Sequence, residues 1–139
     1  MRNIKGIECN DMVIGYLLAE LWVGTCSSIA DPAIDQSDID REGESPYLDN
    51  LGYSVEDFSK ESLEKVVKEC QDFYDSNAQY LENCDLETVG HDFMLTRNGH
   101  GAGFWDGDYE HGDELTKASK PYGETYLYVN ADGEIEIDL

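Results

Sequence analysis

The sequence predicts an α+β domain in which N-terminal helices pack on an antiparallel sheet of about four strands, in the order α-loop-α-β-β-α-β-β. Two stretches in the first half have apolar residues at helical spacing, which indicates amphipathic helices. Shorter alternating runs in the second half are separated by Asn98-Gly99 and Asp132-Gly133, dipeptides typical of hairpin turns. With 139 residues, the chain is most simply one domain, 1–139.

The first helix is predicted to begin at Asn10 or Asp11, either of which can cap it, and to stop near Gly24. Trp22 is expected in the core or at its rim, because it widens the apolar stripe of this helix. The apolar run is too short to span a bilayer and contains Glu20, so no membrane association is expected. The stripe consists of Val13, Ile14, Leu17, Leu18 and Leu21.

Residues 25–50 are predicted to form a long acidic loop within the domain, because they contain two prolines, seven acids and no usable periodicity. A loop of this length is usually either functional or disordered, so both a binding surface and a solvated insertion are compatible with it. Ser54 and Ser59 then supply capping signals, and a long amphipathic helix is predicted over residues 60–84.

The four cysteines, Cys9, Cys26, Cys70 and Cys84, form no C-x-x-C pair and have no histidine at zinc-finger spacing. They are therefore expected to be reduced and free of metal, and the sequence predicts no cofactor. Cys70 and Cys84 fall on the apolar stripe of the second predicted helix, where a free cysteine packs as a small hydrophobic residue.

The stretch His91–Asp106, which reads HDFMLTRNGHGAGFWD, is predicted to be a β-hairpin. Its first part alternates like a strand, and the turn is expected between Asn98 and Gly103. The side chains expected in the core are Phe93, Leu95 and one of Phe104 or Trp105.

The C-terminal part is predicted to contain one short helix and two strands. The helix is expected over residues 114–120, with Asp113 as its cap. Strands are expected at Tyr126–Asn130 and Glu134–Asp138, and the two isoleucines of the second strand should face the core.

A resemblance to a family of small, mostly uncharacterised bacteriophage and prophage proteins covers three segments. They are YSVEDFSKESLEKVVKECQDFY (Tyr53–Tyr74), the His91–Asp106 block and GETYLYVNADGEIEI (Gly123–Ile137). The block usually reads HDF-aromatic-LTRNGHGAGFWD in that family, so this chain departs from it at Met94. The resemblance implies a phage origin and residence in the cytoplasm of the host cell, and it implies no activity or active site.

The histidines and the arginine of the block indicate an alternative function, namely a small enzyme or ligand-binding protein with its site there. A His91–Asp106 pair is compatible with the open end of the predicted hairpin, but the pattern supplies no nucleophile or third metal ligand, and no catalytic residue is predicted. The glycine string lacks the lysine and the helix of a P-loop. Arg97 is expected to pair with a neighbouring carboxylate and to stabilise the hairpin. The alternative site comprises His91, Arg97, Asn98, His100 and Asp106.

Charge is the strongest functional signal, because 31 acids against nine lysines and arginines give −22, spread over the whole chain. Phosphate repulsion argues against direct nucleic-acid binding, so the expected partner is a basic or nucleic-acid-binding host protein. Duplex DNA exposes one charge per ~100 Å² of surface, against one per roughly 330 Å² for a globule of this mass and charge. Imitation of DNA therefore requires clustering, for which the candidates are Asp31, Asp35, Asp38, Asp40, Glu42, Glu44, Asp72, Asp75, Glu134, Glu136 and Asp138.

The leading hypothesis from the sequence is a phage-encoded, anti-defence inhibitor that mimics DNA and binds the nucleic-acid-binding surface of a host protein. A second hypothesis is the small enzyme or ligand-binding protein described above. A third is an acidic soluble protein of a high-salt host, in which the charge serves solubility.

Overall fold

A computed structural model of the chain describes residues 2–34, 47–100, 103–106 and 109–138. Helices and strands are mixed in this part of the chain, which confirms the α+β class. The α-helices are α1 (Asp11–Val23), α2 (Lys60–Asn77), α3 (Leu86–Arg97) and α4 (Gly112–Ser119). The strands are β1 (Arg2–Ile4), β2 (Ile7–Cys9), β3 (Cys26–Ile29), β4 (Tyr126–Val129) and β5 (Ile135–Asp138). Short 3₁₀ helices lie at Leu48–Leu51, Val55–Asp57, Ala78–Tyr80, Phe104–Asp106 and Lys120–Tyr122.

Helix α1 begins and ends as the sequence predicts. The side chain of Asn10 accepts a hydrogen bond from the Val13 amide at 3.0 Å, and the Gly24 amide donates to the Glu20 carbonyl at the other end. Trp22, however, is 52% exposed, so the expectation that it lies in the core or at its rim is wrong. Helix α1 is buried on most sides by other elements, whereas Trp22 lies at the surface with its ring beside that of His91.

The predicted hairpin at His91–Asp106 is wrong, because residues up to Arg97 belong to helix α3. The helix begins at Asp85, whose carboxylate accepts from the Thr88 amide at 3.1 Å, and ends before Gly99, which has a φ of +72°. Nearly every residue in its second half is buried. Apolar residues therefore occur on all sides of this part of the helix, and over a few positions their pattern resembled that of a strand. Phe93, Leu95 and Phe104 are buried as expected, whereas Trp105 is 56% exposed.

Helices α1 and α3 cross in direct backbone contact. A Cβ atom added at Gly15 would collide with the Glu87 carbonyl, and one added at Gly90 would collide with the Met12 carbonyl. Both glycines are therefore required at the crossing, where small residues let two helix backbones approach closely. Helix α2 completes the helical layer, and its Phe73 ring stacks on the Phe93 ring at 4.3 Å between centroids.

The larger sheet has three strands in the order β3-β4-β5, and it is mixed rather than antiparallel. Strands β4 and β5 form the predicted antiparallel hairpin, with Ile135 and Ile137 buried. Strand β3 lies in the predicted 25–50 loop and pairs in parallel with β4. The prediction of one sheet with four antiparallel strands is therefore wrong. The larger sheet has three strands and includes the parallel strand β3, and in the described residues β1 and β2 pair only with each other.

Helix α2 begins at Ser59 as predicted, and Ser54 and Asp57 form the expected capping box just before it. It ends at Asn77 instead of continuing to residue 84, so Cys84 lies beyond the helix and is half-buried. Cys70 is buried on α2 as predicted, and all four cysteines are free thiols. Helix α4 covers nearly the predicted range, but its N-terminal cap position is His111 and not Asp113.

Candidate functional site

Arg97, a member of the predicted alternative site, is buried and bonded to the protein itself. Its Nε donates to the Gly123 carbonyl at 2.9 Å, and its Nη2 donates to the Tyr122 carbonyl at 2.8 Å. Its Nη1 donates to Glu69 Oε2 at 2.7 Å and to the Tyr16 hydroxyl at 3.4 Å. The predicted pairing of Arg97 with a carboxylate is confirmed. It does not stabilise a hairpin, however: the ion pair joins α3 to α2, and the two backbone hydrogen bonds join α3 to the C-terminal segment.

Asn98 connects the end of α3 to the segment before β4. Its side-chain oxygen accepts from the Thr125 amide at 2.7 Å, and its side-chain nitrogen donates to the Met94 carbonyl at 2.9 Å. Thr125 in turn donates its hydroxyl to Glu20 Oε2 at 2.8 Å. Asn98 is thus part of a polar network in the interior, and its amide is occupied by backbone partners.

Glu20 is a buried carboxyl that the sequence analysis did not identify as a functional candidate. Its side chain has no exposed surface, and its Oε1 has no hydrogen-bond partner within the described part of the chain. Burial raises its pKa from 4.5 to about 7, although the Thr125 hydrogen bond and the positive charge of Arg97 act in the opposite direction. The signal in the sequence was a single acid inside the apolar run of the first helix.

The two histidines of the alternative site do not converge with Arg97 and Asn98. His91 is half-buried, and its ring lies 5.4 Å from the Trp22 ring between centroids. It is six residues before Arg97 on α3, about 9 Å along the axis at 1.5 Å per residue, and it faces different neighbours. His100 follows the helix, where its backbone amide donates to the Leu95 carbonyl at 3.0 Å. The side chain of Asp106 lies outside the described residues, so the predicted His91–Asp106 pair is not tested.

The acids of the first predicted cluster, apart from Asp31, lie outside the described residues; they are Asp35, Asp38, Asp40, Glu42 and Glu44. Asp31 accepts from the Tyr53 hydroxyl at 2.8 Å. On α2, Asp72 and Asp75 are both exposed. Asp72 accepts from the Tyr122 hydroxyl at 2.6 Å, and Asp75 accepts from the Gln71 side-chain amide at 2.8 Å. The described partners of Asp31, Asp72 and Asp75 are therefore neutral groups.

The acids of the C-terminal cluster lie in β5 (Glu136 and Asp138) or directly before it (Glu134). Glu134 pairs with Lys5 at 2.7 Å, whereas Asp138 is exposed. Glu136 is half-buried and accepts from the Ser62 hydroxyl at 3.3 Å and from the Asn130 amide at 3.4 Å. Glu136 and Asp138 share one face of the sheet, because alternate residues of a strand point to the same side.

Two exposed tyrosines of β4, Tyr126 and Tyr128, were not among the predicted site residues. They alternate with the buried Leu127 and Val129, so they lie on the outer face of the sheet together with Glu136 and Asp138. The strand alternation that predicted the inward isoleucines also predicts outward tyrosines, and that signal could have identified them.

An open groove of about 750 Å³ lies beside the Arg97–Glu69 pair. Its lining includes Lys65, Lys68, Asp72 and Tyr122, so positive and negative groups are mixed and neither sign of ligand charge is favoured. Among the residues that the structure describes, no group of three or more His, Cys, Asp or Glu side chains is arranged to bind a metal ion. None of the described helices is long and apolar enough to cross a membrane.

Comparison with known proteins gives no relative: no protein family, curated protein or solved structure matches this chain significantly.

Proposed function

We propose that this chain is a phage-encoded inhibitor that occupies the nucleic-acid-binding surface of a host protein. The observation that carries the proposal is the distribution of polar side chains. Two of the five candidates for chemistry in the His91–Asp106 block, Arg97 and Asn98, are bonded inside the protein. The carboxylates, by contrast, lie mostly on the outside, where a basic partner can reach them.

Few of these carboxylates are neutralised by the protein itself. In the described ranges, four of them form ion pairs with lysine or arginine: Glu56 with Arg2, Glu61 with Lys65, Glu69 with Arg97 and Glu134 with Lys5. The net charge of −22 therefore produces a strong negative potential around the molecule. A surface that evolved to bind phosphates is complementary to such a potential, and it accepts carboxylates through the same lysines and arginines.

The enzyme hypothesis receives less support from the geometry. Arg97, Asn98 and His91 each contact a different set of neighbours, and the cavity that His91 lines includes neither Arg97 nor Asn98. A ligand would have to displace hydrogen bonds that connect α3 to the rest of the protein, which costs stability.

The proposal is tested by capturing partners from a bacterial lysate on the immobilised chain and identifying them by mass spectrometry. Each partner is then purified and titrated with the fluorescently labelled chain, with and without duplex DNA. We expect duplex DNA to compete for the same site. We also expect the Kd to rise steeply between about 50 and about 200 mM salt, because exposed charges are screened within ~8–10 Å.

Two results would contradict the proposal. One is a partner that binds duplex DNA and the chain at the same time without loss of affinity. The other is a partner whose affinity for the chain is independent of salt. Heat-denatured chain is the control for capture by charge alone, because it keeps the −22 but loses the arrangement of the acids.

A further inference from the structure

The outer face of the three-stranded sheet exposes two aromatic rings on its central strand. Tyr126 and Tyr128 are 45% and 43% exposed, whereas Leu127 and Val129, which alternate with them, are buried in the core. Strand β4 lies between β3 and β5, so both rings are near the middle of the face. Exposed tyrosines on a rigid strand are typical of protein-binding surfaces, because their rings provide contact area at a low cost in conformational entropy.

Each of these tyrosines has a carboxylate directly across the ladder. Tyr126 is the register partner of Asp138, and Tyr128 is the register partner of Glu136. Cross-strand partners have Cβ atoms about 4.5–5.5 Å apart, so each ring lies beside a carboxylate. Asp138 is exposed, whereas Glu136 is half-buried and accepts hydrogen bonds from Ser62 and Asn130. The Tyr126 hydroxyl also donates to Glu124 Oε2 at 2.7 Å, which restrains that ring in its exposed position.

The charge of this region is mainly negative, and its one described ion pair with a lysine joins Lys5 to Glu134. Residues 121–139 contain five acids and no lysine or arginine, and strand β3 contains no charged residue. A second copy of the chain is therefore repelled from this face, whereas a cationic segment of another protein is attracted to it.

The edge of β5 is partly occupied by the protein itself, because the Ser59 amide donates to the Ile135 carbonyl at 3.0 Å. The face of the sheet, rather than this edge, is therefore the surface available to a partner.

We propose that this sheet face binds arginine side chains of the partner, and that it prefers arginine to lysine. The inference deepens the proposed function and rests on it, because it names the chemistry of the partner's surface. Tyr126 and Tyr128 are two residues apart, about 7 Å at ~3.4 Å per residue. The face therefore fits two arginines at alternate positions of an extended segment, which have the same spacing.

The preference follows from the shape of the guanidinium group. A guanidinium is flat, stacks on an aromatic face, and donates two parallel hydrogen bonds to a carboxylate. A tyrosine beside a carboxylate offers both interactions at once. The lysine ammonium is a strongly hydrated point charge that cannot form the stacked, two-pronged contact.

The experiment measures binding of the full chain to two labelled peptides, one of alternating arginine and serine and its lysine counterpart, by fluorescence anisotropy. We expect the arginine peptide to bind at least about five-fold more tightly. The variant Tyr126→Thr/Tyr128→Thr keeps β-branched residues suited to a strand, and we expect it to reduce the preference to less than about two-fold.

The carboxylates are tested with two variants of equal net charge. Glu136→Gln/Asp138→Asn should weaken arginine-peptide binding several-fold more than Glu64→Gln/Glu82→Gln, whose acids are exposed and lie outside the strands of the sheet. Circular dichroism checks that each variant is folded. If the tyrosine variant does not fold, the aromatic proton resonances of Tyr126 and Tyr128 in the native chain should shift on addition of the arginine peptide and not of the lysine peptide.

Equal affinity for the two peptides, no binding of either, or an unchanged preference in the folded tyrosine variant would overturn the inference. None of these outcomes overturns the proposed function, which depends on DNA competition for a captured partner. Conversely, suppose that duplex DNA fails to compete for the captured partner while the chain still prefers the arginine peptide. That result would overturn the proposed function, and the sheet face would remain an arginine-binding surface.

Discussion

Gly90 of α3 lies directly against the carbonyl of Met12 in α1, with no space for a side chain between the two backbones. Gly90→Ala should therefore lower the free energy of unfolding by about 1–3 kcal/mol, because overpacking against backbone outweighs the ~1 kcal/mol that alanine gains in helix propensity. Urea denaturation followed by circular dichroism measures the change. Ser76→Ala, on the exposed face of α2, is the control and should stay within about 0.5 kcal/mol of the native chain. A Gly90→Ala variant as stable as the native chain would refute the close crossing.

The ion pair of the buried Arg97 with Glu69 should contribute strongly to stability. The Arg97 side chain is 0% exposed and bonds to two backbone carbonyls as well as to Glu69, so Arg97→Ala leaves these acceptors unpaired. We expect a loss of about 3–5 kcal/mol in the free energy of unfolding. Arg2→Ala is the matched control, because its pair with Glu56 is exposed and should contribute less than about 1 kcal/mol. If the two variants lose similar amounts of unfolding free energy, the hydrogen bonds of Arg97 do not stabilise the fold as proposed.

Glu20 should make stability depend on pH. Its folded pKa of about 7 lies above the ordinary 4.5, so the folded state keeps a proton that the unfolded state releases. Its contribution is fully present below pH 4.5, falls as the pH rises from about 4.5 to about 7, and is constant above that. The shift corresponds to about 3 kcal/mol at ~1.4 kcal/mol per pKa unit.

The variant Glu20→Gln isolates this contribution, because glutamine has the same shape and does not titrate. Relative to this variant, the native chain should lose about 3 kcal/mol between pH 4.5 and pH 7 in urea denaturation. Glu64→Gln, at an exposed position, should give a curve parallel to that of the native chain. Parallel curves for Glu20→Gln and the native chain would mean that Glu20 is ionised throughout.

The thiols should differ in reactivity. Cys84 is half-buried, whereas Cys9, Cys26 and Cys70 are buried, and burial raises the pKa of the Cys70 thiol far above its usual value. A disulfide reagent at pH 8 should modify one thiol rapidly in the native protein and four after denaturation. Cys84→Ser should remove the rapid phase, and a rapid phase that persists in this variant would contradict the assignment.

Local signals in the sequence predicted the elements that local interactions determine. The Asn10 cap, the Ser54–Asp57 capping box and the Asp132-Gly133 turn each involve residues within a few positions of one another, and all three occur in the structure. Strand β3 was missed, because its pairing with β4 joins residues about one hundred positions apart. A four-residue strand with two exposed serines has no pattern that predicts such a partner.

The central block was misinterpreted for a different physical reason. A helix with one exposed face shows a 3.6-residue period, but α3 is buried on several sides and shows none. The Asp85 cap was the available local signal for its beginning, six residues before the block. The alternative site was predicted for a hairpin, whereas the residues up to Arg97 form a helix. On the helix, His91 and Arg97 lie apart and contact different neighbours.

The last prediction separates an acidic inhibitor from an enzyme. His91→Ala and His100→Ala should leave the affinity for the captured partner within about two-fold of the native value, because an inhibitor of this kind binds through its acids and not through the histidines. Reversal of three acids of one cluster, Glu134, Glu136 and Asp138, to lysine should weaken binding at least about ten-fold, because repulsion then replaces attraction at the contact. The same experiment applies to Asp35, Asp38 and Asp40.

The matched control reverses three exposed acids that lie far apart in the chain: Glu64, Glu82 and Glu114. Each triple variant changes the net charge by the same amount, so a larger effect at a cluster reports on the position of the charges and not on their number. Isothermal titration calorimetry with the captured partner measures the affinities, and circular dichroism confirms that the variants are folded. If the histidine variants lose function while all triple reversals retain it, the inhibitor proposal fails and the surroundings of α3 become the site to investigate.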